Sequence, residues 1–196
     1  MRVVGVTGKY CSGKDTAVGV LVDHGYVELN MDRMGHEALS SEQERIVRRF
    51  GHGILDADGM ISRHALGAVV FADTRSLRGL ESIVHPVMVE AARERIARLR
   101  EQGSSPGVAI NAALLYRMGL HRLCDTVIYV GAPFRTRLER ARVRDDADLL
   151  GTMRRLRSQQ DVAPQFFAPD ADVLSVQNDG SQEQLRGKLE GLLSLP

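Results

Sequence analysis

Val3-Val4-Gly5-Val6-Thr7-Gly8-Lys9-Tyr10-Cys11-Ser12-Gly13-Lys14-Asp15 decides how the rest of the chain is read. Val3 to Thr7 is short, apolar and β-branched, the pattern of a buried strand. It runs into a glycine-bounded loop, after which Asp15 to His24 reads as a helix. That helix has Ala17, Val18, Val20, Leu21 and Val22 as apolar positions and Gly25 as its stop. Between a strand and a helix, such a loop lets successive backbone N–H groups wrap around phosphate oxygens. The helix N-terminus adds partial positive charge at the same point. Lys14 is spaced to reach the β- and γ-phosphates of a nucleotide and to neutralise charge that develops on transfer. Gly8, Cys11, Ser12, Gly13, Lys14, Asp15 and Thr16 are thus candidate nucleotide contacts, with ATP the expected phosphate donor. Cys11 reads as a small residue that fits the loop.

Asp15 departs from the pattern, because a Ser or Thr hydroxyl normally ligates Mg²⁺ there. Three readings compete. Asp15 is a direct carboxylate ligand of Mg²⁺; it stabilises the helix start against the dipole; or it weakens catalysis by repelling polyphosphate. The first is carried forward, with Asp15 as the expected metal ligand. Thr16 lies one residue out of register for that role.

Further along, Tyr26–Leu29 reads as a second strand, Val108–Ile110 as a third, Thr126–Val130 as a fourth and Val173–Val176 as a last. Met31 to about Gln102 is helical almost throughout, broken by the glycine- and aspartate-rich turn Phe50 to Gly59, with His85-Pro86 expected to open a long helix. Pro133 to Gln160 is arginine-dominated and reads as an exposed helical hairpin, and Gln182–Leu193 as a closing helix. Short strands alternating with helices predict an α/β fold of the P-loop NTPase type: a three-layer sandwich with a central parallel sheet. The expected division is a core of residues 1–32, 103–135 and 166–196, an acceptor-binding helical insertion at 33–102 and a helical lid at 136–165.

Composition narrows the class. The chain has 196 residues, 43% of them hydrophobic, no Trp and a net charge of +1, so no overall field argues for a nucleic-acid or membrane partner. Its basic residues are nearly all Arg, with Lys only at Lys9, Lys14 and Lys188, a bias that reads first as composition. Cys11 and Cys124 match no metal-ligand spacing and no disulfide framework, which favours a reducing cytoplasm. No stretch has the apolar length to span a membrane.

A kinase also needs a group to orient or deprotonate the attacking hydroxyl. Asp32 lies just beyond the second strand, at the carboxyl edge where open α/β sheets bind ligands. A helix N-cap is the competing role for Asp32, and packing the competing role for His36, one turn later.

Together these segments resemble the dephospho-coenzyme A kinase family nearly end to end. Leu29-Asn30-Met31-Asp32-Arg33-Met34-Gly35-His36 is similar to its Asp-x-Asp and following His. The likeness continues through Phe50-Gly51, Ile54-Leu55, Asp58-Gly59, Arg63, Leu66-Gly67, Val70-Phe71-x-Asp73 and Leu77-x-x-Leu80-Glu81-x-Ile83-x-His85-Pro86. Leu114-Leu115-Tyr116 follows the third strand. Arg140, Arg144 and Arg155-Leu156-x-x-Gln159 are similar to the lid, and Ala171-Asp172-Val173 with Asn178-x-Gly180 to the nucleotide-side loop.

The resemblance implies ATP- and Mg²⁺-dependent phosphorylation of the ribose 3′-hydroxyl of dephospho-coenzyme A, the final step of coenzyme A biosynthesis. It implies Asp32, Lys14 and Arg140 as catalytic residues, with Arg144 and Asn178 on the nucleotide. Asp32, His36, Arg63, His85 and Leu115 would hold the acceptor, and the protein would be a cytoplasmic monomer or small homo-oligomer. Asn30, Asn111, Ala113 and Arg117 depart from the family's Asp, Asp, Pro and Glu. Another nucleoside or nucleotide acceptor, and a non-catalytic nucleotide-binding module, are the competing functions. A nucleic-acid role rests only on the arginines of 135–157, without interleaved aromatics, and ranks last.

Overall fold

The computed structural model of the chain describes residues 1–144, 162–164, 167 and 172–193. It divides into two compact units, one formed by Met1–Asn30 with Ile96–Pro196 and the other by Met31–Arg95.

The first unit is built on a five-stranded parallel sheet of order β2-β3-β1-β4-β5. Its strands are β1 (Arg2–Thr7), β2 (Val27–Asn30), β3 (Gly107–Asn111), β4 (Thr126–Gly131) and β5 (Asp172–Gln177). Each expected strand is present, most of them a residue or two longer. The strand that feeds the glycine loop is the middle one, and β1, β3 and β4 are buried nearly throughout. That burial explains why they read as continuous apolar runs rather than alternating ones.

Helix α1 (Lys14–Asp23) and the last helix, α7 (Gln182–Leu193), cover one face. Ala17, Val18, Val20 and Leu21 from α1 meet Val4, Val6, Ile128 and Val130 from the sheet, with Leu185 and Leu189 from α7. Full burial of each Val or Leu contributes roughly 1.5–3 kcal/mol, so this cluster is the main anchor of the loop between β1 and α1. Against Gly5 on β1 lie Leu115 and Cys124; a Cβ there would come within 2.9 Å of the Leu115 side chain. Burial, then Asp125, pushes the Cys124 thiol up to about 12, so it remains a neutral packing group.

In the second unit, α2 (Met31–Ser41), α3 (Gln43–Phe50) and α4 (Arg63–Val70) precede α5 (Thr74–Gln102), whose last residues, from Ile96, belong to the first unit. The expectation for α5 needs correcting. It starts eleven residues before His85, and Pro86 lies inside it. Asp73 sets the true start, accepting from Arg75 N at 3.1 Å and Ser76 N at 2.8 Å. Once the helix is running, the proline removes one backbone bond without ending it.

Of the expected lid, α6 (Phe134–Arg144) is described. Arg155 and Gln159, the second arm of the hairpin and Ala171 lie outside the described residues, as does the Arg144 side chain. Among the described residues no helix is long and apolar enough to cross a membrane.

Candidate active site

Between β1 and α1 the backbone makes two left-handed turns. Cys11 has φ 58° and Gly13 has φ 96°, and Gly13 caps α1 with no side-chain bond. Left-handed φ at two positions three residues before the helix is well under way turns the loop back over its own amides. A non-glycine side chain is tolerated at Cys11 because it is small, although it sits in an uncommon region. Gly8 has a different constraint: a Cβ there would lie 2.5 Å from Val130 O and 2.6 Å from Ser12 Oγ. Ser12 is 1% exposed and its buried Oγ has no partner among the described residues. Thr16 is half-buried in the first turn of α1.

Lys14 and Asp15 lead into a polar cluster at the carboxyl ends of β2 and β3. Lys14 Nζ donates to Asp15 Oδ1 at 3.1 Å and to Asn111 Oδ1. Asn111 Nδ2 donates to Glu28 Oε1 at 2.7 Å and to Asp15 Oδ1 at 3.3 Å. The Lys14 side chain is 14% exposed and that of Asp15 61% exposed, so the carboxylate of Asp15 is open to solution beside a sheltered ammonium. Asp15 and Glu28 both accept from that one amide nitrogen, but the Glu28 oxygen also takes the Asn30 amide, whereas the Asp15 carboxylate faces solution. A single open carboxylate fits Mg²⁺, which takes most of its coordination from water and phosphate. Among the described residues no group of three or more His, Cys, Asp or Glu is assembled into a denser metal site.

Asn178 closes the other side of the loop. Its Nδ2 donates to Ser12 O at 2.8 Å and its Oδ1 accepts from Arg140 Nη2 at 3.2 Å. Arg140 also donates to Gly180 O, at 3.3 Å, and its buried Nη1 has no partner among the described residues. The loop, α6 and the turn after β5 are thus tied through one amide that is 4% exposed. Arg137, passed over in the sequence, shares that helix. It is 7% exposed, donates Nε–H to Ala132 O at 3.2 Å and has a buried Nη1 with no partner among the described residues. Burial holds its guanidinium below the usual value, while Tyr129 and Cys11 pull it back up. The spacing 137, 140, 144 along one helical face is the signal that would have found it.

In the second unit Asp32 lies in the first turn of α2, exposed, two residues along the chain from the end of β2. His36 and Arg63 come together, with Arg63 Nη1 3.1 Å from His36 Nε2. His85 is half-buried within α5. Leu115 is fully buried, with its side chain packed against Gly5 in the core of the sheet.

The comparisons agree with this architecture. The family model described as dephospho-CoA kinase matches residues 2–184. A dephospho-CoA kinase of Anaeromyxobacter dehalogenans is 38% identical over 197 residues, covering 99% of this chain and 92% of its own length. The Geobacter sulfurreducens dephospho-CoA kinase is 34% identical, covering 97% and 96%. A crystal structure from Thermus thermophilus superposes with TM-score 0.79 at 28% identity, covering 98% of this chain and 96% of that one. The fold is also that of shikimate kinase from Acinetobacter baumannii, at TM-score 0.54 and 16% identity, covering 98% of this chain and 93% of that one. A family match over residues 2–184, with relatives 38% and 34% identical over nearly the whole length, makes the chain a member of the dephospho-CoA kinase family.

Proposed function

We propose that this kinase transfers the γ-phosphoryl group of ATP to the ribose 3′-hydroxyl of dephospho-coenzyme A, with Lys14, Asp32 and Arg140 as its catalytic groups. The observation that carries the proposal is the loop of residues 8–13 delivering Lys14, sheltered and already held by hydrogen bonds, to the carboxyl ends of the central strands.

Backbone N–H groups of the loop and the start of α1 would bind the β- and γ-phosphates, and Lys14 would neutralise charge on them as the bond to the leaving ADP breaks. Ser12 Oγ, Arg140 Nη1 and Arg137 Nη1, which have no partner among the described residues, support the reading, because each is a buried donor that a phosphate oxygen would satisfy. Arg140, held by Asn178 and Gly180, and Arg144 at the end of the same helix would draw α6 towards the phosphates and exclude water. Asp32 would accept the proton of the acceptor hydroxyl as its oxygen attacks phosphorus. His36, Arg63 and His85 would contact the acceptor, and the paired ring and guanidinium at 36 and 63 suit a phosphate of dephospho-coenzyme A. Residues 33–102 would thus form the acceptor-binding part and residues 136–165 the lid.

Asp15 would hold Mg²⁺, which when bound shields the charge of the β- and γ-oxygens. Its solvent-facing carboxylate supports that role over a purely helix-stabilising one. The Cys11 and Cys124 thiols, neither of them in a disulfide among the described residues, are consistent with a cytoplasmic enzyme, working as a monomer or small homo-oligomer.

Magnesium titration of activity tests the metal assignment. Asp15→Asn is expected to raise the Mg²⁺ concentration for half-activity by about ten-fold, one lost charged contact being worth about 1.4 kcal/mol. An unchanged titration would return Asp15 to the role of a helix-start residue.

A further inference from the structure

Glu28 carries no motif. It is the second residue of a short edge strand, and its neighbours Val27 and Leu29 explain the strand without it. The parallel register changes its meaning. Asn30 stands opposite Asn111, so β2 and β3 end level with each other. Residues two apart on a strand share a face, which puts Glu28 and Asn30 side by side. Both asparagine amides then turn onto one carboxylate oxygen: Asn30 Nδ2 donates to Glu28 Oε1 at 3.1 Å and Asn111 Nδ2 at 2.7 Å.

An asparagine amide has a donor end and an acceptor end, and fixing one fixes the other. With Nδ2 of Asn111 drawn to Glu28 and, at 3.3 Å, to Asp15, its Oδ1 is the end left to accept from Lys14 Nζ, which Asp15 also holds at 3.1 Å. A flipped amide would set N–H groups against an ammonium. Asn111 is 4% exposed, so water gives it little alternative partnership.

We infer that Glu28 is a positioning residue for phosphoryl transfer: it orients the Asn111 amide, which in turn seats the Lys14 ammonium at the phosphate loop. The inference rests on the kinase reading and explains two departures from the family pattern together. Asn30 and Asn111 stand where acids were expected, and Glu28 supplies a carboxylate to that corner, one that two amides satisfy and two further carboxylates would repel.

A double-mutant cycle tests this in the full-length protein, with ATP affinity measured by titration with a fluorescent ATP analogue and kcat and KM by ADP release. Glu28→Ala and Asn111→Ala are each expected to weaken nucleotide binding and lower kcat/KM for ATP about ten-fold, with KM for dephospho-coenzyme A unchanged. The double variant is expected to match Asn111→Ala within about two-fold, because Glu28 acts through Asn111. Glu28→Gln, which keeps an oxygen acceptor for Asn111 Nδ2, is expected to retain activity within about three-fold, and serves with Asn111→Ala if the alanine at 28 fails to fold.

Multiplicative losses in the double variant, or a Glu28→Ala protein with unaltered kinetics, would overturn the inference. A Glu28→Gln protein as impaired as the alanine variant, with a raised Mg²⁺ requirement, would also overturn it by showing that Glu28 acts through its charge. Nucleotide affinity is read apart from turnover. A wild-type protein that binds ATP without turning over would therefore fail the proposed reaction, while the affinity series still tested Glu28.

Discussion

Gly13 combines a φ of 96° with an α-carbon that faces Asn178 Nδ2, so an added Cβ would collide with the amide that ties the loop to α6. Gly13→Ala is expected to cost about 1–3 kcal/mol in urea unfolding from strain alone, and to abolish binding of an ATP analogue. Near-wild-type affinity would mean the loop is not held in this conformation. The turn at Gly8 and Gly13 and the helix start at Lys14 were legible in the sequence, because a glycine-bounded loop between a strand and a helix has a recognisable spacing. Glu28 and Arg137 were not. A glutamate in a strand and an arginine in an arginine-rich helix look like solvated charges, until register places one against Asn111 and burial leaves the other 7% exposed. The pattern of Leu115 with Leu114 and Tyr116 was legible in the sequence, but its burial against Gly5 was not.

At the scale of elements, α5 shows why boundaries were harder to read than identities. The sequence marks His85-Pro86 as a helix start, and proline does favour first turns. Yet Asp73, twelve residues earlier, already bonds the amides of Arg75 and Ser76 and the Ser76 hydroxyl, at 2.9 Å. Those bonds hold its carboxyl below the ordinary value, the Arg75 amide contributing most. A depressed folded-state value means the contribution is present above the unfolded carboxylate range and is lost as pH falls through the folded value. Asp73→Ala is therefore expected to lower Tm at pH 7, with the gap from wild type narrowing below about pH 4. Calorimetry across that range checks it, and a gap independent of pH would remove the carboxylate from the account. The strands were read within a residue or two because β-branched runs ending in glycine or asparagine have few other uses.

For the whole molecule, alternation of strands and helices foretold a parallel sheet, but not which strand sits in the middle. The order β2-β3-β1-β4-β5 puts β1 between β3 and β4, so the loop after β1 meets the ends of both neighbours. Contacts far apart in sequence, such as Lys14 with Asn111 and Ser12 with Asn178, follow from that order and from nothing local. The stability of this sheet depends on filling the space at Gly5. Leu115→Ala is expected to cost about 2–5 kcal/mol in denaturant unfolding while leaving KM for the acceptor unchanged; a raised KM in a stable protein would restore Leu115 to the acceptor site.

The central claim, phosphoryl transfer from ATP to dephospho-coenzyme A, is tested most directly by ADP release from purified protein with Mg²⁺. Dephospho-coenzyme A, adenosine and no acceptor are compared, with Lys14→Ala and Asp32→Asn alongside. Turnover with dephospho-coenzyme A alone, reduced about a hundred-fold or more in both variants, is the predicted result. ATP binding without turnover on any acceptor, or equal turnover with adenosine, would contradict it.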